Sequence, residues 1–485
     1  MKNLDNVIVV GGGNAGYISA LIFKSSFPNK NVRVIQSKKI GTIGVGESSS
    51  EHIAEFCDYV GISKLDFILR TKATFKNGVY FENWAHEDFL HNINSHTGVN
   101  SSVRSHYAYM QSVVASNKPN YEMNTCGAWI NQVPLSFFND LNQTPTNQFH
   151  FDTHALNQYL RSACESRGIT IIEDDIVGAD IEAETGDIGS VNGSRKYYAD
   201  FFIDCSGFSK LLLGKTLGVK WKSYSKYLPL NSAIAFATEE MDEYNIYTKA
   251  TTRSAGWTWQ IPVQGRTGNG YVFSDKYTNF DLAHDELERI FDREITVNKT
   301  FKFDPGRMEK AWHKNCYGVG LSQSFVEPLE ATAIGSVINQ MFAFVHYFPS
   351  YNSDQCNQVV NDIFDNIFDY VQAHYLTKRD DVLFWRDIKN CLRLTPSLEK
   401  TLDTWKTRFP LAGDIYCRWG MFTEVNYIPI LYGLKWFNSQ VVAKEYMHIS
   451  HIPIPNWENT YPNVIHMSHK KFIDEAVRLY NLNNS

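Results

Sequence analysis

Gly11, Gly13 and Gly16 fall in the spacing Gly-x-Gly-x-x-Gly within "NVIVVGGGNAGYISALIFKSSFP". Backbone without side chains at those positions can turn tightly at Gly11, approach a diphosphate at Gly13 and let a helix pack on a strand at Gly16. Ala15 sits in the same turn. The unpaired N–H groups of the helix start, with the positive end of its dipole, then meet the diphosphate charge. A β-branched run precedes the glycines and an amphipathic run follows them, so the motif reads as a dinucleotide site. At the end of a second strand, "NVRVIQS", Gln36 stands where an acidic residue usually bonds the ribose hydroxyls. An amide can make that bond without a charge. "IGTIGVGESSSEHIAEF" adds Glu47 in a glycine-rich bend, and its Ser48-x-x-Glu51 pattern predicts a capping box at a helix start.

A different pattern stands in "GWTWQIPVQGRTGNGYVFSD", residues 256–275. Alternation along a strand puts Trp257 and Trp259 on one face, with Pro262 as the stop. "GRTGNG" at 265–270 reads as the hairpin turn to the next strand. Two indoles on one face are a core wall or a pocket wall.

These groups need a scaffold. "YYADFFIDCSGFSKLLLGKTLG" predicts a strand ending at Asp204 and then a helix. "AWHKNCYGVGLSQSFVEPLEATAIGSVINQMF" predicts a strand around 316–320 and a helix starting near Ala331. Three strand–turn–helix returns separated by long inserted sequence suit a large interrupted FAD domain better than a compact NAD module. No second dinucleotide fingerprint is present, which points to reduced flavin arriving from a separate NAD(P)H-dependent reductase. At 485 residues the chain is long for a single core, so two or three packed units are expected. The net charge of −6 gives no footprint for nucleic acid or an acidic membrane. Eight scattered cysteines without a Cys-x-x-Cys read as reduced thiols, not as disulfides or a metal site. The apolar start is too short for a signal peptide and no run is long enough to span a membrane, so a cytoplasmic protein is expected. Apolar residues at helical spacing in 353–376, among them Val359, Val360, Ile363, Phe364, Ile367 and Phe368, predict an amphipathic helix.

Taken together, Trp257-x-Trp259-x-Ile261-Pro262 and the blocks "GVGES", "FHFD", "DCSGF", "PGR" and "FVEPLEAT" resemble the flavin-dependent halogenases, in the tryptophan-halogenase-like branch. The resemblance covers roughly residues 5–345. It implies an α/β fold: a PHBH/GR2-like, Rossmann-type FAD domain over 1–345, interrupted by β-rich substrate inserts at roughly 77–150 and 221–303. A mainly helical region, 346–485, would cap the substrate site, with "YCRWGMFTEVNYIPILYGLKWF" as the cap. "SHYAYM" and "GAWI" would present aromatic contacts or fill core.

In that family reduced FAD and O2 form a flavin hydroperoxide, halide attacks it, and hypohalous acid passes through a tunnel to a lysine beside an aromatic substrate. The resemblance assigns the lysine to Lys76 and the acidic partner to Glu330. Without it, Lys76 reads as a solvent-facing lysine on a half-exposed strand and Glu330 as a first-turn helix carboxylate. Lys72 and Glu327 are their rivals. The signature residues Trp257, Trp259, Ile261 and Pro262 are assigned to the tunnel wall. Gly11, Gly13, Ala15, Gly16, Gln36, Glu47, Ser48, Asp204, Phe325 and Pro328 are assigned to the cofactor. Halide is assigned to the backbone of Thr332 and Ala333. Where many halogenases have Phe-x-x-Pro-x-x-Ser-x-Gly, this chain has Phe325, Pro328, Ala331 and Ala333, which makes bromide or iodide credible ahead of chloride. The expected substrate is an electron-rich indole, phenol or related arene. A flavin aromatic hydroxylase and a non-catalytic FAD-binding relative are the alternatives, and oligomeric state is left open, a homo-oligomer included.

Overall fold

The computed structural model describes residues 4–41, 47–92, 101–115, 132–134, 147–451 and 466–483. Val7 to Val10 are all buried, as a strand covered on both faces by other elements must be. Strand Asn6–Val10 lies parallel to Phe201–Asp204 on one side and Asn31–Gln36 on the other, with Val7 opposite both Phe201 and Val32. Cys316–Gly318 and Thr170–Glu173 extend this sheet in parallel, and Trp312–His313 closes one edge antiparallel. Val7 and Val9 face the main core, where helix Asn14–Ser26 packs on helices Thr153–Ser166 and Thr332–Tyr347. Ile8 and Val10 face a smaller cluster under the sheet Gly178–Ile181, Ile188–Asn192 and Lys196–Tyr198.

The second body is a seven-stranded sheet in the order Val297–Lys302, Ser232–Thr238, Arg266–Phe273, Gly256–Val263, Tyr247–Thr252, Gly78–Glu82, Phe89–Asn92. It joins segments far apart in sequence, and its one parallel pair, Tyr247–Thr252 with Gly78–Glu82, is where they meet. Glycine-rich "GRTGNG" is not a long turn. Only Gln264 and Gly265 turn, with Gly265 at φ +84°, and Arg266 onward is strand. Nor does Pro262 stop its strand, which runs to Val263. The ladder with Tyr247–Thr252 has already ended at Gln260, so no neighbour there needs the missing N–H.

One further expectation is corrected. Ser48 and Glu51 form no capping box: Ser48 pairs as strand with His150, and helix His52–Val60 starts after Glu51 without a side-chain cap. "SHYAYM" is in a helix, Ser101–Ala115, whose Tyr109 and Met110 pack with Phe409, Ile428 and Tyr432. "GAWI" and the glycines of "GVGES" lie outside the described residues. The amphipathic pattern near 353 forms helix Ser353–Ala373 with Val360, Ile363, Phe364, Ile367 and Phe368 buried. Helices Leu383–Cys391, Pro396–Trp405, Glu424–Gly433, Ser439–Ile449 and His469–Asn483 follow it. Helix Glu424–Gly433 packs on strand Phe89–Asn92. Among the described residues seven cysteines carry free thiols, and no helix is long and apolar enough to cross a membrane.

Candidate active site

A cavity of about 940 Å³ opens where the first strand meets its helix and runs from the glycine turn to the start of helix Thr332–Tyr347. The glycines work as their spacing predicts. Gly11 holds φ +121°, and a Cβ there would lie 2.2 Å from Cys205 O. A Cβ on Gly16 would lie 1.9 Å from Gly11 O, so Gly16 sets helix-to-strand packing and does not line the cavity. Gly13 is the N-cap of helix Asn14–Ser26, no side chain caps that helix, and a Cβ on Gly13 would meet nothing within 4 Å. Open space against uncapped N–H groups fits the diphosphate of a dinucleotide.

Gln36 lines the cavity, but its Oε1 already accepts from the Tyr17 hydroxyl. Burial pushes Tyr17 up to about 12, which keeps that hydroxyl a donor. What Gln36 can offer a ribose is therefore its amide N–H. Ala15, Ser48, Phe325 and Pro328 line the cavity too, as does Glu47, which burial pushes up to about 7. Asp204 stands apart from it. One carboxylate oxygen accepts from Ser206 N and Oγ, the other from Leu212 N and Leu213 N at 2.8 Å each, so the side chain is consumed in ending its strand.

Trp257, Trp259 and Ile261 form one wall, while Pro262 does not reach the cavity. The two indoles lie on one face with centroids 6.0 Å apart. Trp259 fits only because its cross-strand neighbour is Gly270, where a Cβ would lie 2.1 Å from the indole. Trp257 Nε1 donates to Glu327 Oε1 at 3.0 Å, and Tyr375 OH donates to the same oxygen at 2.5 Å. Burial pushes Glu327 up to about 7, against those two donors.

Beyond the wall the chain enters helix Thr332–Tyr347 through two successive left-handed residues, Glu330 at φ +62° and Ala331 at φ +58°. For residues with a Cβ that costs about 1–2 kcal/mol each. The strained turn aims Glu330 inward. Its Oε1 is 2.8 Å from His91 Nδ1 and 3.1 Å from His374 Nε2, all three side chains buried. His374 also has Nδ1 2.9 Å from Tyr370 O. Burial alone would raise Glu330, but the two histidines outweigh it and hold the group well below the usual carboxylate range. Its Oε2 makes no hydrogen bond among the described residues. Ala331, Thr332 and Ala333 line the cavity beside it, and no side chain caps the helix that Thr332 opens.

Lys76 is not solvent-facing. It is fully buried, and its Nζ donates to Ser49 O at 3.0 Å, directly behind Ser48 of the cavity wall. Burial pulls it down to about 8, with Glu330 opposing. Lys76 is outside the cavity lining but within the electrostatic reach of Glu330. The rival Lys72 is exposed. Sequence reasoning missed His91, His374, Tyr375 and Gly270. Each is polar or small at a position whose neighbours are apolar or bulky, a signal that carries meaning only once the partner is known.

The tryptophan halogenase family model matches residues 6–448. Tryptophan 7-halogenase KtzQ of Kutzneria sp. (strain 744) is 31% identical over 425 residues, covering 80% of this chain and 79% of its own. BrvH, a flavin-dependent halogenase from Brevundimonas sp. BAL3, superimposes with TM-score 0.81 at 25% identity, covering 98% of this chain and 99% of its own. A tryptophan halogenase from Shewanella frigidimarina NCIMB 400 shares the fold with TM-score 0.86 at 23% identity, over 98% of both chains. With the glycine cradle and the indole wall on one cavity, the chain belongs to the tryptophan halogenase family and is a flavin-dependent halogenase.

Proposed function

We propose that the enzyme is the halogenating half of a two-component system. It takes FADH2 from a separate NAD(P)H-dependent reductase and uses O2 and halide to halogenate an electron-rich arene such as an indole or phenol. The observation that carries this reading is a buried lysine, Lys76, within electrostatic reach of a carboxylate held ionised, Glu330, which lines a dinucleotide cavity walled by two indoles. Bound in that cavity, reduced flavin with O2 supplies the two-electron oxidation of halide to hypohalous acid. Gly11, Gly13, Ala15 and the helix start hold the diphosphate, and Gln36 donates to the ribose. Glu47, Ser48, Phe325 and Pro328 close around the ring system. The N–H groups of Thr332 and Ala333 hold halide at an uncapped helix start. Trp257, Trp259 and Ile261 keep the arene from the oxidant's source.

The ring carbon bonds to halogen while the O–X bond breaks, Lys76 donates a hydrogen bond and then a proton to the departing oxygen, and Glu330 accepts the ring proton. Below about pH 8 Lys76 is the ammonium this requires. Ala331 offers no hydroxyl at the halide turn, which favours the less strongly hydrated bromide and iodide. The test is a mass-spectrometric screen with FAD, a reductase, NADH, O2, a panel of arenes and each halide in turn. The reading expects haloarene that disappears in Lys76→Ala, and oxygenated product or none with any halide overturns it.

A further inference from the structure

The strand that carries Lys76 is three residues long, Thr74–Lys76, and one of its neighbours is a side chain. Along one edge it pairs with Gln148–Phe151. Outside that ladder the Phe75 backbone N–H donates to His469 Nε2 at 3.0 Å, a buried bond. His469 opens the C-terminal helix His469–Asn483, beyond residue 448 where the family match ends. Its Nδ1 faces Tyr244 O at 3.3 Å, so the hydrogen is on Nδ1 and Nε2 is the acceptor. The imidazole stacks on the Phe75 ring, centroids 5.3 Å apart and planes 12° apart. Phe472, one turn later, meets that ring edge-on at 5.6 Å. Burial drives His469 down to about 3, so it is neutral throughout the working range.

We propose that His469 is a positioning residue for Lys76: it supplies the acceptor that holds strand Thr74–Lys76 in place, and so keeps the lysine dry and aimed. Without an acceptor the Phe75 N–H is buried unpaired, and the strand gains by shifting toward water. Lys76 then loses its seat on Ser49 O and becomes hydrated, an ordinary lysine in an active site. Glu330 from the strained turn and His150 from the paired strand are among the titratable groups within electrostatic reach of Lys76. The inference rests on the reading of Lys76 as the halogenating lysine.

The test uses the full-length holoenzyme with two variants. His469→Phe keeps the stack and removes the acceptor; His469→Gln restores an acceptor without the ring. Three quantities are read: FAD content, kcat and KM for the arene, and the pH midpoint of Lys76 acylation by acetic anhydride, located by peptide mass spectrometry. Expected for His469→Phe are unchanged FAD content, a fall in kcat of about tenfold with KM within about twofold, and a rise of the midpoint toward that of an exposed lysine. His469→Gln recovers most of both. An unchanged midpoint in His469→Phe overturns the proposal whatever kcat does, as does equal loss of FAD and activity in both variants. A shifted midpoint with undiminished product sustains the positioning role and instead sinks the catalytic reading of Lys76.

Discussion

Glu327 and Glu330 are separated by two residues and both are sealed from solvent, yet the fold sends them to opposite ends of the carboxyl range. Among the described residues Glu327 meets neutral donors, Trp257 Nε1 and Tyr375 OH, and burial pushes it up to about 7. Glu330 meets His91 and His374, and they hold it ionised despite equal burial. The difference lies in partners, not in depth. A carboxyl titrating near neutrality can lose its charge in a dry wall of indoles and still accept two hydrogen bonds. A carboxylate clamped by two rings on one oxygen keeps its charge and leaves the other oxygen for a reacting proton. The first group bonds the wall, and the second is the one proposed for the chemistry.

The largest effect is expected from breaking the charged side. Glu330→Gln should lower haloarene kcat by about 10²–10⁴ at every pH, the range for loss of a positioned base, with FAD content unchanged. The check is steady-state product formation beside flavin absorbance.

A smaller and oppositely directed effect separates the neutral side. Glu327 is raised in the folded state above its ordinary 4.5, so the folded protein holds that proton more tightly. Its contribution is fully present below about pH 4.5 and is lost as pH rises through 7; Glu330, depressed, contributes above its ordinary value and loses it only in acid. Glu327→Gln, which keeps an acceptor for Trp257, should therefore gain stability relative to the parent between pH 5 and 8, by at most ~3 kcal/mol. Denaturant titrations across that window measure it, and a parallel pair of curves would refute the assignment.

The smallest effect concerns the wall's shape. Gly270→Ala places a methyl 2.1 Å from the Trp259 indole and should cost about 1–3 kcal/mol of stability by overpacking. It should also let hypohalous acid leak while Lys76 and Glu330 stay in place. Thermal unfolding and a hypohalite scavenger read the two consequences.

Much of this arrangement was legible in the chain. Gly16 announces its role because a Cβ there would strike Gly11 O in the same turn, a local fact, whereas the clash at Gly11 is with Cys205, which only the fold brings near. Trp257 and Trp259 share a face because strand periodicity requires it. What was not legible depends on distant partners. Lys76 reads as a surface residue until strand Gln148–Phe151 and the C-terminal helix bury it. Asp204 reads as a cofactor ligand from the family block it stands in, but the N–H groups of Leu212 and Leu213 claim it first. The Ser48-x-x-Glu51 pattern promised a cap, and cross-strand pairing with His150 outcompeted it. His91 and His374 come to Glu330 from a strand and a helix nearly 300 residues apart, which no spacing encodes.

The most direct test of the division between the two glutamates is a single-turnover partition in Glu330→Gln. Pre-reduced enzyme would be mixed with O2, bromide, arene and a hypohalite scavenger, and both halogenated products quantified. Parental yields of oxidised halogen, now captured by the scavenger, are expected, with haloarene nearly absent. Oxidised halogen and haloarene falling together would instead place Glu330 on the flavin side of the wall and refute its role as the acceptor of the ring proton.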